Sequence, residues 1–168
     1  MNIGRFRYRG EVVLGDVDPE KGKVQLLKGD LFGELAPTGQ EVDLSQLEWM
    51  VPLEVNQFLA IGLNYMDHIQ EKNRQVPQEP MVFMVSNTSV LPNHGTIVLP
   101  YPQHLVEHEA ELAVVIKKEG KAIPRAKAKE YILGYTGCID VSDRVLQERD
   151  KQFTRSKSFD TFKPLGPW

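Results

Sequence analysis

The apolar residues of this chain occur in short runs separated by turn-forming residues. Phe58 to Gly62, Met81 to Val85 and Leu112 to Ile116 are three such runs. Runs of this length are typical of buried β-strands and are too short for core-forming helices. Asp18 to Gly22 is a turn signal, because proline presets one backbone angle and glycine tolerates the opposite sign. The pattern therefore predicts an α+β fold that is mostly β, with short helices.

The first 56 residues are predicted to form a small β domain of their own, and residues 57–168 a second domain. Ile3 to Tyr8, Glu11 to Asp16 and Lys23 to Leu27 resemble strands. In the first of these, arginines alternate with Phe6 and Tyr8, which indicates one charged face and one apolar face. An RNA-binding strand is the less favoured interpretation of the same alternation.

Composition excludes several classes of protein. The chain has a net charge of −3 and so lacks the basic excess of a nucleic-acid-binding protein. Its longest strictly aliphatic run, Leu112 to Ile116, is too short to span a membrane. The single cysteine, Cys138, cannot form an internal disulfide, and its apolar neighbours indicate a small buried side chain rather than a nucleophile. No targeting segment is visible, so we expect a cytoplasmic protein.

Further elements are predicted along the second domain. They are a helix from Tyr65 to Lys72 capped by Asn64, a strand from Gly95 to Leu99, a helix from Arg125 to Ile132 after Pro124, a strand from Gly134 to Val141, and a helix capped by Ser142 that runs to about Lys151.

Two acidic residues alternate at the start of an aliphatic strand. Glu109 and Glu111 would share one face of a strand, with their Cα atoms about 6–7 Å apart. Leu112 to Ile116 follows them and is expected to be buried on both sides. Carboxylates beside a buried strand are costly unless a cation neutralises them. A solvated acidic strand end is the alternative.

Asp140 follows another apolar run, Tyr135 to Ile139, just before the Ser142 helix. If the two strand ends meet at one edge of a sheet, Asp140 would join Glu109 and Glu111. Three carboxylates with water or substrate would suit Mg²⁺ or Mn²⁺. Asp140 could instead be a helix-start acid that is favoured by the helix dipole.

A histidine and a glutamate are spaced to share one helical face. His68 and Glu71 are three residues apart, and a carboxylate beside a histidine can fix its tautomer and raise its basicity. Such a pair could deprotonate a water molecule. An exposed polar pair is the alternative. His94, His104 and His108 have no partner at a comparable spacing and are interpreted as loop or surface residues.

Three more residues could line the same pocket. Lys157 stands among phenylalanines, where a partly desolvated ammonium could stabilise an enolate or a carboxylate. Arg144 and Gln147 lie three apart on the helix after Asp140. Most lysines are simply exposed, which is the alternative for Lys157.

Four motifs in order resemble the fumarylacetoacetate hydrolase family, closest to its bacterial and archaeal members with a short N-terminal domain. The motifs are Gly62-Leu63-Asn64-Tyr65-x-Asp67-His68-x-x-Glu71, Glu109-x-Glu111-Leu112, Asp140-Val141-Ser142-x-Arg144-x-x-Gln147, and Lys157-Ser158-Phe159-Asp160-Thr161-Phe162-x-Pro164. The resemblance covers the chain from about residue 58 to its end.

The resemblance implies a fold, a site and a class of reactions. The fold would be an incomplete mixed β roll, with Glu109, Glu111 and Asp140 as ligands of Mg²⁺ or Mn²⁺, or of Ca²⁺ in crystals. His68 and Glu71 would be a catalytic dyad on a lid, Lys157 the active-site lysine, and Arg144 and Gln147 substrate-binding residues. Family members cleave carbon–carbon bonds in acylpyruvates, isomerise hydroxymuconate-type diacids of aromatic catabolism, or decarboxylate oxaloacetate. Homodimers are usual.

The chain departs from the family pattern at three places. Val85 stands where many members have a lysine, and Asp143 and Val145 flank Arg144 where alanine and aspartate are more common. The family also continues with further strands beyond the position of Trp168. We therefore expect a C-terminally truncated chain, and three explanations stay open: a fragment, an enzyme completed by a segment supplied in trans, or a non-catalytic metal-binding or assembly module.

Overall fold

The N-terminal part of the chain forms an antiparallel sheet. The computed structural model describes all residues from 1 to 168. The sheet has the strand order β4-β3-β2-β1-β5. Its strands are β1 (Ile3–Tyr8), β2 (Glu11–Asp18), β3 (Lys23–Gly29), β4 (Leu35–Asp43) and β5 (Glu48–Trp49). The predicted turn joins β2 to β3, and Asp18 Oδ1 accepts hydrogen bonds from the backbone N–H groups of Glu20 and Lys21.

One face of this sheet carries its core. The buried residues are Phe6, Val17, Val24, Leu26, Val42 and Leu47. The alternation in β1 is confirmed, because Phe6 is fully buried while Arg7 is exposed. Gly4 makes room for this packing, since a Cβ atom there would lie 2.4 Å from the Phe6 ring. Trp168, from the other end of the chain, packs against the same core through Trp49.

The rest of the chain forms two smaller sheets. The first pairs β6 (Phe58–Gly62) with β7 (Met81–Val85), and the second has the order β8-β11-β10-β9. The strands of the second are β8 (Val90–Leu91), β9 (Val106–Ile116), β10 (Ile132–Asp143) and β11 (Lys163–Gly166). Strand β11 pairs antiparallel with β10 and parallel with β8, so the sheet is mixed. The expectation of a mostly β fold with a mixed sheet is confirmed. The division between domains near residue 56 stays a prediction.

The helices are short. They are α1 (Met66–Glu71), α2 (Arg144–Asp150) and α3 (Thr154–Lys157), with 3₁₀ turns at Leu44–Gln46, Asn87–Ser89 and Arg125–Tyr131. None of these helices has the length and apolar character needed to cross a membrane.

Several predicted elements differ from the structure. Residues 95–99 form no strand, and the segment after Pro124 is a 3₁₀ helix rather than an α-helix. Helix α1 begins after Tyr65 without a side-chain cap, so Asn64 does not cap it. Asp143, not Ser142, caps α2, because β10 continues two residues beyond Val141. The first two differences concern the existence and the type of an element, whereas the two capping differences concern boundaries, where neighbouring elements outweigh local propensity.

The aliphatic run from Leu112 to Ile116 is not buried on both sides. Leu112, Val114 and Ile116 are 62%, 46% and 58% exposed, whereas Ala113 and Val115 face inward. Tyr135 of β10 is exposed beside them. An apolar run predicts burial only if a layer packs on each face, and periodicity within one strand does not reveal whether that second layer exists. The expectation of a strand buried on both faces was therefore wrong.

Candidate metal centre

Three carboxylates converge where β9 and β10 pair. Asp140 lies directly opposite Glu109 in the antiparallel register, and Glu111 lies two residues further along β9 on the same face. Ligand oxygens of the three residues lie within 4.8 Å of one another. The predicted convergence is present, but the expectation that two strand ends meet at one edge of a sheet was wrong. The acids meet within paired strands, because β9 begins at Val106 and β10 runs on to Asp143.

Lys157 forms ion pairs with two of these carboxylates. Its ammonium lies 3.2 Å from Glu109 Oε2 and forms a short ion pair with Asp140 Oδ2. Lys157 is 5% exposed and Asp140 is 3% exposed. The interpretation of Lys157 as an exposed lysine is therefore wrong. Helix α3 ends at Lys157 and presents the side chain to the floor of the site.

Glu111 differs from its two neighbours because it has no ion-pair partner. Burial raises its pKa to about 7, and the negative charge of Asp140 adds to this effect. Burial also favours protonation of Glu109, but Lys157 and Arg144 hold the pKa of that carboxyl below its usual value. The positive charges of Lys157 and Lys163 only partly oppose this shift, so the ionised form of Glu111 remains disfavoured in the absence of a further cation. A hard divalent cation with a preference for oxygen ligands fits this donor set.

Arg144 connects the start of α2 to β9. Its guanidinium donates to Glu107 Oε2 at 2.7 Å, to Glu109 Oε1 through a short bond, and to Gln147 Oε1 at 2.7 Å. The spacing of Arg144 and Gln147 therefore places both side chains beside the cluster, as predicted. Because the Gln147 oxygen is occupied, its amide N–H₂ is the group left to bind another molecule.

His68 faces two carboxylates. Its Nδ1 lies 3.5 Å from Glu71 Oε2, and its Nε2 lies 3.4 Å from Glu109 Oε1. Both separations are longer than a good hydrogen bond. The His68 side chain is 28% exposed, whereas that of Glu71 is 71% exposed. The structure thus brings His68 to the carboxylate cluster and places Glu71 on its outer side.

Helix α1 lies along β9 and covers the cluster. Three residues at helical spacing contact successively earlier positions of β9. Tyr65 Oη accepts a hydrogen bond from Leu112 N at 2.8 Å. His68 lies near Glu109, and Lys72 Nζ lies 3.4 Å from Glu107 Oε2. The resulting cleft has a volume of about 50 Å³. Seven of the eight predicted site residues line it, namely His68, Glu109, Glu111, Asp140, Arg144, Gln147 and Lys157.

A larger and mostly apolar cavity lies on the other side of Glu111. Its volume is about 570 Å³, and residues 53–57 together with residues of β6 and β9 form most of its lining. Glu111 and Asp140 contribute to the walls of both spaces. The carboxylate cluster therefore separates a small polar cleft from an open apolar one.

Sequence reasoning missed two charged residues of the site. Lys163 is 1% exposed, and its Nζ lies 2.9 Å from Asp140 Oδ1. Burial lowers the pKa of this lysine, while Asp140 opposes the shift. No pattern marked it, since it stands in a tail without regular period. Glu107 could have been found by extending the Glu109 and Glu111 alternation one step back along the strand.

His104 lies in a loop, as expected, but it has a partner that its local spacing did not indicate. Its Nδ1 lies 2.7 Å from Oδ2 of the buried Asp143, and its ring stacks on Tyr101 with centroids 4.9 Å apart. The other oxygen of Asp143 accepts from Leu146 N and caps α2. His104 and Asp143 are 39 positions apart in the sequence, so no local spacing reveals this contact.

Cys138 is buried, as expected. It is 7% exposed, and burial raises the pKa of its thiol to about 12. A thiol with such a pKa is a poor nucleophile near neutral pH.

Known families match both parts of the chain. The family described as Fumarylacetoacetate (FAA) hydrolase C-terminal matches residues 57–168, and the family described as Rv2993c-like, N-terminal matches residues 1–52.

Similar proteins occur in archaea, bacteria and mammals. An uncharacterized protein of Archaeoglobus fulgidus is 41% identical over 166 residues, which cover 99% of this chain and 62% of that protein. A mitochondrial oxaloacetate tautomerase of Rattus norvegicus is 41% identical over 125 residues, covering 73% of this chain and 40% of the relative. The solved structure of a 5-carboxymethyl-2-hydroxymuconate delta-isomerase from Mycobacterium smegmatis is 35% identical, with a TM-score of 0.87, and the match covers 100% of this chain and 66% of that one. The chain thus spans about 40–66% of the length of these relatives.

Proposed function

Because the chain belongs to the fumarylacetoacetate hydrolase family, we propose that it provides the metal centre of a divalent-metal-dependent enzyme for small keto or enol acids. The observation that carries the proposal is the cluster of Glu109, Glu111 and Asp140, whose ligand oxygens lie within 4.8 Å of one another. Glu111 has no ion-pair partner in this cluster, and its pKa is raised to about 7 mainly by burial. The activity of the whole protein is part of the same proposal.

The three carboxylates would hold Mg²⁺ or Mn²⁺, with Ca²⁺ as a substitute in crystals. When bound, such a cation polarises a carbonyl oxygen and stabilises the negative charge of an enolate. The donor set does not separate Mg²⁺ from Mn²⁺, because both accept carboxylate oxygens and water. The same reasoning predicts tight binding only when Glu111 is ionised.

The remaining residues would bind and orient the substrate. Lys157 supplies a buried positive charge beside the cluster, where an enolate or a carboxylate would be stabilised. Gln147 offers its amide N–H₂ to a substrate oxygen. Arg144 already donates to two glutamates, so we assign it mainly to holding Glu109 in place and, secondarily, to attracting an acidic substrate.

His68 is the proposed base. Its Nε2 faces the cleft, and Glu71 on the other side of the ring favours a protonated Nδ1. In an isomerisation, His68 would take the proton from the carbon next to a keto group and return a proton to the enolate oxygen or to another carbon. In a hydrolysis, the same nitrogen would take a proton from water as the oxygen attacks the distant carbonyl. The carbon–carbon bond would then break, the attacked carbonyl would leave as a carboxylic acid, and the other fragment would leave as an enolate that takes the proton back from His68.

Proton transfer is the reaction that we propose first. One relative is named an oxaloacetate tautomerase and another a delta-isomerase, and both names describe the movement of a proton without loss of a fragment. Carbon–carbon cleavage of an acylpyruvate and decarboxylation of oxaloacetate are the second candidates. Among these, the hydrolytic cleavage is supported by the nearness of Glu71 to His68, because such a pair could activate water.

A substrate would reach the small cleft beside His68, Gln147 and Lys157 only when helix α1 moves. A cleft of about 50 Å³ is far below the roughly 300–1,000 Å³ of typical ligand pockets. Tyr65, His68 and Lys72 attach α1 to β9 through few polar contacts. We therefore propose that α1 is a lid that opens for the substrate and returns His68 to the cluster.

Two assays on one sample distinguish these reactions. Oxaloacetate is added with Mn²⁺, the enol is followed by its ultraviolet absorbance, and pyruvate is followed by coupling to lactate dehydrogenase. Tautomerisation changes the enol signal without excess pyruvate, whereas decarboxylation produces pyruvate. Release of pyruvate from an acylpyruvate would show hydrolysis instead.

Glu111→Gln is the matched negative variant, and Glu119→Gln, which changes an exposed acid away from the site, is its control. The proposal predicts metal-dependent turnover that the first variant loses and the second retains. Mn²⁺ binding without turnover of any keto acid would favour the non-catalytic metal-binding module. No Mn²⁺ binding would contradict both.

A cytoplasmic location and a homodimer are also proposed. The exposed apolar residues of β9, such as Leu112 and Ile116, support association with another chain or with further strands. Sedimentation equilibrium would test the dimer.

A further inference from the structure

Lys163 is a buried cation that the proposed reaction does not use. It begins β11, is 1% exposed and is one of the largest fully buried side chains. Charged lysines are almost never buried to this extent unless they are paired. Its environment must therefore provide partners for the whole ammonium group.

The ammonium of Lys163 contacts four oxygens. Three are the backbone carbonyl oxygens of Val141 at 3.3 Å, of Phe162 at 3.2 Å and, through a short bond, of Lys157, and the Lys163 ammonium donates a hydrogen bond to each. The fourth is Asp140 Oδ1, which lies 2.9 Å away as an ion-pair contact without hydrogen-bond geometry. An ammonium has three N–H donors, and the three carbonyl oxygens occupy them. Lys163 therefore has no donor left for a substrate.

Two of these contacts link Lys163 to both members of the ion pair between Asp140 and Lys157. The Lys163 ammonium contacts Asp140 Oδ1, here called the inner oxygen, and donates to the backbone carbonyl of Lys157. Asp140 Oδ2, the outer oxygen, pairs with the Lys157 ammonium. Lys163 thus connects β11, β10 and the end of α3 at one point. The outer oxygen of Asp140 and the Lys157 ammonium are both directed to the carboxylate cluster as a result.

We propose that Lys163 is a positioning residue of the metal centre. It fixes the side-chain torsion of Asp140 and the position of the Lys157 backbone. The outer Asp140 oxygen is thereby oriented to bind a cation. This inference rests on the proposed function, because it concerns Asp140 as a metal ligand. Without Lys163, Asp140 Oδ1 would be buried without a neighbouring cation, and the Asp140 carboxylate would rotate.

The direction in which Lys163→Met changes the Mn²⁺ affinity distinguishes a positioning role of Lys163 from a purely electrostatic one. A fixed positive charge close to a metal site repels the metal, so a purely electrostatic role predicts that Lys163→Met tightens Mn²⁺ binding. A positioning role predicts the opposite. Calorimetric titration of the folded protein with Mn²⁺ gives the affinity, and it does not depend on turnover.

We expect Lys163→Met to weaken Mn²⁺ binding by about tenfold or more, which corresponds to the loss of one well-placed ligand worth about 1.4 kcal/mol. The variant should also lower Tm by at least about 6 °C, since breaking a buried ion pair is strongly destabilising. Lys127→Met, which changes an exposed lysine, should alter neither quantity. If Lys163→Met does not fold, Lys163→Gln replaces it, because glutamine keeps N–H donors and lacks the charge.

Unchanged or tighter Mn²⁺ binding by the folded Lys163 variant would overturn the positioning role, whatever its Tm. If the unmodified protein itself binds no Mn²⁺, the proposed function fails first and the inference fails with it. If the unmodified protein binds and the Lys163 variant binds equally well, only the inference fails.

Discussion

The Tyr65 hydroxyl accepts a 2.8 Å hydrogen bond from the backbone N–H of Leu112. Strand β9 is at the edge of its sheet, so its outward N–H groups need partners from outside the sheet. Tyr65 immediately precedes helix α1. This one bond therefore ties the beginning of the proposed lid to the strand that carries Glu109 and Glu111.

Tyr65→Phe should loosen the lid without unfolding the protein. The lost bond is worth about 0.5–1.5 kcal/mol, so the Leu112 amide should exchange its hydrogen about 2- to 12-fold faster. Hydrogen exchange measured by NMR tests this. Tyr135→Phe, at an exposed tyrosine of β10, is the control and should leave the Leu112 amide unchanged. Unaltered exchange in the Tyr65 variant would show that other contacts hold α1.

Asp143→Ala should destabilise the protein by roughly 2–4 kcal/mol. The substitution removes the N-cap of α2, which is worth about 0.5–2 kcal/mol, and leaves His104 without its partner at 2.7 Å. Asp143→Asn keeps an oxygen for the cap and should lose less. Urea denaturation measures the free energy of unfolding. Asp160→Ala, at an exposed acid, should stay within about 0.5 kcal/mol, and an equally small loss for Asp143→Ala would contradict the capping role.

Glu111 should make the metal-free protein less stable as pH rises. Its pKa is near 7 in the folded protein and 4.5 in the reference state, so folding favours the protonated form. The stabilising contribution is complete below about pH 4.5 and is lost as pH rises through 7. Glu111→Gln cannot titrate, so the difference in unfolding free energy between the two proteins should change across this window. A constant difference from pH 4 to pH 8 would contradict the raised pKa.

The same carboxyl should make metal binding depend on pH. A cation requires ionised Glu111, so binding of Mn²⁺ near pH 6 should release a proton and should strengthen as pH rises to 8. Calorimetry in two buffers with different ionisation enthalpies counts the released protons. Equal apparent enthalpies in both buffers would mean that Glu111 is already ionised or is not a ligand.

The sequence predicted which residues form the site better than it predicted the strand pairing that brings them together. Glu109 and Glu111 could be placed on one face because strand periodicity is local. Their meeting with Asp140 depends on the register of β9 against β10, which no local pattern determines. The family resemblance brought the three acids together, and the register explains how they meet.

The remaining misses have a common physical origin. Lys163 and His104 are defined by partners far along the chain or on other strands, namely Asp140 and Asp143. The exposure of Leu112 depends on whether a second layer covers its face. Such facts belong to tertiary packing, whereas periodicity and turn chemistry report on single elements. The assignments of the site residues to metal, base and substrate stay predictions.

Calorimetric titration of the 168-residue chain with Mn²⁺ at pH 8, repeated on Asp140→Asn, tests the central claim most directly. Asparagine keeps the shape of Asp140 and removes its charge. The account predicts that the unmodified chain binds one Mn²⁺ ion and that the variant loses at least tenfold in affinity. Absence of Mn²⁺ binding in the unmodified chain, or equal binding by both proteins, would contradict it.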